Sequence, residues 1–428
     1  MIFLDAAATT PVRREVIEAM FPFLTNQFGN PSSHHSLGEQ AAAALSSARE
    51  KAAAVLGCHA EELTFTSGGT EADNLALKGI ALARRAADPR CNRVVISATE
   101  HPAIADSADY LRRIHGFVLD VVPVDAQGLV DPQAFAAVLA GHPECSGHPA
   151  HPGHDAGHPL SRAAGDGRGA SGDGSEAGSP EVRGSDVAVA AIMYANNEVG
   201  TVQDIPALAA VASDMGVPFH TDAVQAAGWL SLDVRELGVD SLAVSGHKLG
   251  APKGVGLLYL RGGVPCEPLV HGGGQERGTR SGTENVAFAV ALATALNLSA
   301  AGRAAGSIRT AEVRDRFIGQ VLERVPGAVL TGHPVRRLPG SASFCLPGTS
   351  GESVLLELER RSIICSSGSA CAAGSDEPSE VLTAMGIERS VAQTALRFSF
   401  GADTGATALD TAADELVAAV ERVKALGR

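Results

Sequence analysis

Between residues 217 and 248 the chain reads VPFHTDAVQAAGWLSLDVRELGVDSLAVSGHK. Two short apolar runs, at 217–219 and 241–244, read as buried strands. Each ends in polar residues able to do chemistry: His220, Asp222 and Gln225 after the first, Ser245, His247 and Lys248 after the second. In open α/β sheets, ligands sit just beyond the carboxyl ends of the strands. Taken singly, these residues have plainer readings. A Lys after a strand is usually a solvated surface group, and an Asp in a strand-end turn usually caps a helix.

The surrounding pattern alternates strands and helices. Strands are expected at 62–66, 93–97, 118–122, 186–194, 254–261 and 341–346, with helices at 38–56, 105–114, 206–215, 285–301 and 312–325. Pro11 is suited to starting a helix and Gly57 to ending one. A domain change falls near 301. Hydrophobic residues make up 45% of the chain but aromatics only 4%, so Ala, Val and Leu must build the core. A net charge of -14 argues against a nucleic-acid surface spread over the whole molecule. No apolar run is read as a membrane span, and Asp5 stands where a signal peptide would be apolar. A cytoplasmic protein is expected. Seven irregularly placed cysteines with no C-x-x-C pair give neither a disulfide framework nor a structural zinc site. Cys58, Cys91, Cys266 and Cys345 read as buried or inert thiols. Residues 141–185 break the pattern, with Leu160 and Val182 as the only Val, Leu, Ile or Met. Such a stretch cannot bury a core, so disorder is expected. Its histidines and Cys145 could bind a metal, but a loose loop is the preferred reading and no metal is expected.

Several polar segments could build a site. S-G-G-T-E-A-D-N, residues 67–74, is a glycine turn opening a helix. Free N–H groups and the positive end of the helix dipole would meet there, with Gly68 and Gly69 admitting a phosphate and Thr70 donating a hydroxyl. A plain capped turn, with Thr70 and Asp73 as a capping-box variant, is the other reading. T-E-H-P puts His101 at a strand end, A-N-N-E-V-G holds Asn197, and a Gly-rich loop runs from His271 to Thr283. S-S-G-S-A-C carries Cys371, and L-R-F-S carries Arg397. One Lys and one Asp on neighbouring strand ends are what a pyridoxal 5′-phosphate (PLP) site requires: the Lys forms a Schiff base and the Asp keeps the pyridinium nitrogen protonated.

Together with D-A-A-A-T-T-P at 5–11 and F-G-N-P-S-S-H at 28–34, these motifs resemble, in order, those of the group I cysteine desulfurases, the NifS/IscS-like branch of the class V aminotransferase family. The resemblance implies an α/β protein of PLP-dependent transferase fold type I. A large, mainly parallel-sheet domain (14–301, with the probable insertion 141–185) would be followed by a smaller α/β domain (302–428), joined by the segment 1–13. It implies L-cysteine as substrate, L-alanine as product and sulfur captured as a persulfide. Lys248, Cys371 and His101 would be catalytic. Gly69, Thr70, His101, Asn197, Asp222, Gln225, Ser245, His247 and Lys248 would hold PLP, and Asn197 and Arg397 the substrate. Thr283 would reach the PLP phosphate of a second subunit in a homodimer. The sulfur acceptors would be an iron–sulfur scaffold protein or a tRNA thiolase, with no membrane and no direct nucleic-acid contact. Cys365, at the end of an apolar strand, should be partly buried and a poor nucleophile. Other PLP enzymes of this fold (a selenocysteine lyase or an aminotransferase), a non-catalytic sulfur-transfer scaffold and a His-rich metal store are the alternatives.

Overall fold

The structure, a computed structural model, describes residues 1–141, 186–367 and 378–426. The His-rich stretch 142–185 and the segment holding Cys371 lie outside the described residues. In chain order the strands are β1 (Ile2–Phe3), β2 (Leu63–Thr66), β3 (Arg93–Ser97), β4 (Val118–Val122), β5 (Val187–Ala191), β6 (Phe219–Asp222), β7 (Ser241–Ser245), β8 (Gly256–Leu260), β9 (Val329–Leu330), β10 (Ser341–Cys345), β11 (Ile363–Ile364), β12 (Ser366–Ser367) and β13 (Ala395–Ser399). The main sheet has the order β2-β8-β7-β6-β5-β3-β4. From β4 to β7 every pairing is parallel, whereas β8 and β2 are joined antiparallel. Strands β3, β5, β6 and β7 are buried at every residue, as strands covered on both faces must be.

One strand differs in register from the sequence expectation. β6 begins at Phe219, and the apolar Val217 belongs to the helix exit, its N–H donating to Ala212 O at 2.9 Å. Pro218 has no N–H to give a ladder. The strand is instead built from polar residues whose groups are satisfied internally: Thr221 Oγ1 donates to Ile192 O at 2.8 Å, and the His220 ring meets Ser241 Oγ at 2.9 Å. Pro11 likewise does not start a helix. The first helix is Arg14–Thr25, and Thr10 is held by its N–H and hydroxyl on His247 O, at 2.9 and 2.8 Å.

The expected helices 285–301 and 312–325 are one helix of 39 residues, Val286–Arg324. The intervening stretch loses apolar periodicity, but its alanines and arginines are good helix formers. This helix is long and apolar enough to span a membrane by length and composition, which corrects the expectation of no such run. Half of its apolar window is buried inside the protein. Its first half contributes Leu292 and Leu296 to the core of the main sheet. Its second half gives Phe317, Ile318 and Val321 to another core. There Phe317 meets Phe398 and Phe344 edge-on, at centroid distances of 5.2 and 6.1 Å. That core lies against a second, antiparallel sheet of order β12-β13-β10-β9. The N-terminal segment ties the two parts together. β1 pairs with β11, Leu4 N–H donates to Ile364 O, Ala6 N–H donates to Ser399 O, and Thr10 reaches the turn after β7.

Candidate active site

The parallel strands deliver their carboxyl ends to one edge of the main sheet. Asp222 is the last residue of β6, and its Oδ1 accepts from Val224 N–H at 2.8 Å. Lys248 ends the tight turn Gly246–Lys248 that follows β7. Its Nζ donates to the carbonyls of Ala7 and Ala8, the latter at 2.8 Å. Gln225 Nε2 donates to the same Ala7 carbonyl at 3.0 Å, and His247 Nδ1 lies 3.2 Å from Thr9 Oγ1. Ser245 is buried at the end of β7, against the first turn of the helix Gly69–Ala87.

That helix start fits a phosphate. Gly68, its N-cap, has no side chain with which to cap it, so the first N–H groups have no side-chain acceptor there. A Cβ placed on Gly68 would meet nothing within 4 Å, whereas one on Gly69 would come within 2.7 Å of Val224 Cγ2. Open space lies before the helix, and its backbone is pressed onto the turn after β6. The capping-box reading of Thr70 and Asp73 does not hold: Thr70 is exposed within the helix and Asp73 is buried on its inner face. Thr70 and His101 line one open cavity with Asn74, Lys78 and Tyr110. His101 caps the helix Pro102–His115, its Nδ1 accepting from Ala103 N–H at 3.1 Å, which leaves the proton of the neutral ring on Nε2.

Arg397, in β13 and 1% exposed, meets the N-terminal segment that also receives Lys248. Its Nη1 donates to the Asn197 carbonyl at 2.9 Å and its Nη2 to Asp5 Oδ1 at 2.8 Å. β12 pairs with β13 so that Ser366 stands opposite Arg397. The described chain resumes near Ser379, whose hydroxyl donates to Glu198 Oε2 at 2.5 Å. The two ends of the segment carrying Cys371 are thus fixed beside the A-N-N-E-V-G turn. Thr283 is exposed and lines a different cavity, with Phe65, Ser67 and Arg280.

The ground beneath the site is acidic and dry. Burial raises the Asp222 carboxyl above its usual range, opposed chiefly by the charge of His101 and also by that of Lys248. Asp73 is pushed up further, by burial and by the charges of Asp222 and Glu100. Burial lifts Glu100 to about 8, although its Oε1 accepts from Ser97 Oγ and Met193 N–H at 2.6 and 2.8 Å. His220 lies 3.2 Å from Asp73, and burial drops it to about 3, so it is neutral and no part of the open site. Three carboxyls this close in a low dielectric cannot all ionise. Of the three, Asp222 is the one at a strand end beside the strand that leads into the Lys248 turn.

Sequence reasoning did not single out Asp5, Asn196 or Glu100. Asn196 is buried, its Nδ2 donating to Thr99 O and its Oδ1 accepting from Glu198 and Val199 N–H, so it locks the turns of His101 and Asn197 together. The doubled Asn was its only signal. A buried acid such as Glu100 leaves none in a hydrophobic pattern.

A fold with a Lys and an Asp at neighbouring strand ends, a glycine-opened helix beside them and a buried Arg tied to the same N-terminal segment as the Lys is that of a PLP-dependent transferase. The chain belongs to the class-V aminotransferase family, whose profile matches residues 2–145 and 175–411. It is 37% identical over 425 residues to a cysteine desulfurase IscS of Dictyoglomus turgidum, covering 99% of this chain and 96% of that one. It is 39% identical to an IscS-like cysteine desulfurase of Mycobacterium tuberculosis, over 99% and 97%. Among solved structures, a NifS-like protein superposes with a TM-score of 0.82 at 29% identity, over 98% of this chain and 99% of that one. A structure described as SspA in complex with cysteine gives 0.72 at 30%, over 94% and 99%.

Proposed function

We propose that the chain is a PLP-dependent cysteine desulfurase that converts L-cysteine to L-alanine and takes the sulfur onto Cys371 as a persulfide. The observation that carries this reading is the N-terminal segment 5–8, which accepts from Arg397 at Asp5 Oδ1 and from Lys248 Nζ at the carbonyls of Ala7 and Ala8, while Asp222 ends the strand paired with the one before the Lys248 turn. The cysteine desulfurase names of relatives spanning 99% of the chain, and the cysteine in a similar structure, support the substrate.

PLP, when bound, supplies an electron sink for the substrate Cα. Gly69, Thr70, Ser245, His247, Gln225 and His101 would hold its phosphate and ring, and Asp222 would be the partner of the ring nitrogen. Lys248 would carry the cofactor and move a proton at the substrate Cα, with His101 Nε2 as the second proton carrier. Arg397 would hold the substrate carboxylate, a contact suited to a guanidinium fork, with Asn197, whose carbonyl accepts from Arg397, as the second substrate-binding residue. The Cys371 thiolate attacks the substrate sulfur. The Cβ–S bond breaks, an S–S bond forms and Cβ gains a proton, so cysteine and a thiol become alanine and a persulfide. Acceptor proteins, an iron–sulfur scaffold or a tRNA thiolase, then take the sulfur.

The reading includes a large domain 14–301, a small domain 302–428 and a joining segment 1–13. It also includes a cytoplasmic homodimer in which Thr283 serves the second subunit's phosphate. The test is PLP-loaded protein given L-cysteine and a dithiol. Alanine and sulfide should appear in equal amounts, and Lys248→Ala should make neither while losing the borohydride-trapped PLP–peptide link. An unaltered yield from Lys248→Ala would reject the reading.

A further inference from the structure

The Arg397 guanidinium is already engaged. Its Nη2 donates to Asp5 Oδ1 at 2.8 Å and its Nη1 to Asn197 O at 2.9 Å, while Nε is buried with no hydrogen-bond partner among the described residues. The Arg397 side chain is 2% exposed and that of Asp5 20%, so Asp5 is the half of the pair that meets solvent. Glu198 is the other acid whose charge acts on this guanidinium, and burial lifts its carboxyl to about 7 while Ser379 occupies one oxygen. Asp5 is therefore the carboxylate seated directly on Arg397 among the described residues. A second carboxylate brought to the same buried guanidinium would meet like charge at close range.

We propose that Asp5 is an internal stand-in for the α-carboxylate of the amino-acid substrate: it holds the Arg397 guanidinium in the substrate-free site and is displaced when the substrate carboxylate pairs there. This rests on the reading of Arg397 as the carboxylate-binding residue. Asp5 sits on a segment with other duties. Ala6 N–H donates to Ser399 O and Ala7 N–H to Ser399 Oγ, while the carbonyls of Ala7 and Ala8 accept from Lys248 Nζ. Displacing Asp5 releases one of the ties that hold this segment between β13 and the Lys248 turn. Only a ligand with an α-carboxylate can do so. Asp5 thereby weakens substrate binding and makes it depend on that carboxylate.

The test uses the PLP-loaded full chain and two probes, L-alanine and ethylamine, which is the same molecule without its carboxylate. Binding is followed by cofactor absorbance. Asp5→Asn should tighten L-alanine about tenfold, the size of one relieved close charge contact, and leave ethylamine unchanged. In the unaltered protein, L-alanine but not ethylamine should speed hydrogen exchange at the amides of Ala6 and Ala7, a readout that needs no variant. Equal or weaker binding of L-alanine by folded Asp5→Asn, or unchanged exchange at saturation, would overturn the proposal. Arg397→Lys separates the two claims. If it binds L-alanine as well as the unaltered protein, the reading of Arg397 fails. If it weakens L-alanine while Asp5→Asn does not tighten it, only the role of Asp5 falls.

Discussion

Cys365 and Cys371 lie close together in sequence, and the described structure bears directly on one of them. Cys365 is 8% exposed, and its thiol is raised to about 12, first by burial and then by Asp5. The burial expected from its place after two isoleucines is found, and because the thiolate is the nucleophile, we expect Cys365 to be a poor sulfur acceptor. Burial also raises Cys58 and Cys266 to about 12 and Cys345 to about 11. Cys365→Ser should therefore keep most sulfide release, while Cys371→Ser should abolish it and retain PLP absorbance; sulfide assays on both variants check this. Glu100 offers a second residue-scale test. Its carboxyl titrates near 8 when folded against an ordinary 4.5, so the folded state holds a proton that the unfolded chain has lost between those values. Stability from this group is complete below pH 4.5 and is lost as pH rises through 8. A tenfold difference in proton affinity is worth about 1.4 kcal/mol, so the loss is a few kcal/mol. Glu100→Gln, which keeps the acceptor at Oε1, should flatten the fall in melting temperature between about pH 5 and 8. An unchanged slope would place the missing proton elsewhere.

At the scale of elements, the strand–turn–helix unit from β2 into Gly69–Ala87 carries the cofactor argument. Gly69 is needed because its Cα abuts Val224 and Ser245, from the ends of two other strands. A methyl at 2.7 Å from Val224 Cγ2 must move the helix start or the turn after Asp222. Overpacking of this kind costs about 1–3 kcal/mol. Gly69→Ala should thus weaken PLP binding roughly tenfold or more, as measured by equilibrium dialysis. Wild-type affinity would show that the phosphate lies elsewhere. Much of this part of the chain was legible in sequence: the strand expected at 62–66 is β2, strands β3 and β4 follow from short apolar runs, and Gly57 ends the helix before them as a C-cap glycine. The misread pieces have physical causes. β6 is a polar strand whose His220, Thr221 and Asp222 are satisfied by internal hydrogen bonds, so a search for apolar runs stops short of it. The helix Val286–Arg324 crosses a stretch with no apolar period, held by its good helix formers. Asp5 and Glu100 act through contacts distant in sequence, which no local pattern encodes.

At the scale of the whole molecule, two cores share one long helix, and the N-terminal segment spans the gap between them at the site. The family profile leaves residues 146–174 unmatched, within the stretch where the sequence has almost no core-forming residues. Deleting residues 143–185 should leave folding and cysteine turnover nearly intact, as judged by the melting curve and alanine yield. Loss of the folded state would give the stretch a structural role, and tight stoichiometric metal binding by the intact chain a chemical one. Passage of sulfur from L-cysteine to Cys371 is tested most directly by a single turnover without reductant. Protein in excess over isotopically labelled L-cysteine is digested and its peptides are mapped by mass. One alanine should form per labelled sulfur, with the label on the Cys371 peptide as a persulfide. Label mapped mainly to Cys365, or alanine formed with no sulfur on Cys371, would contradict the proposed transfer.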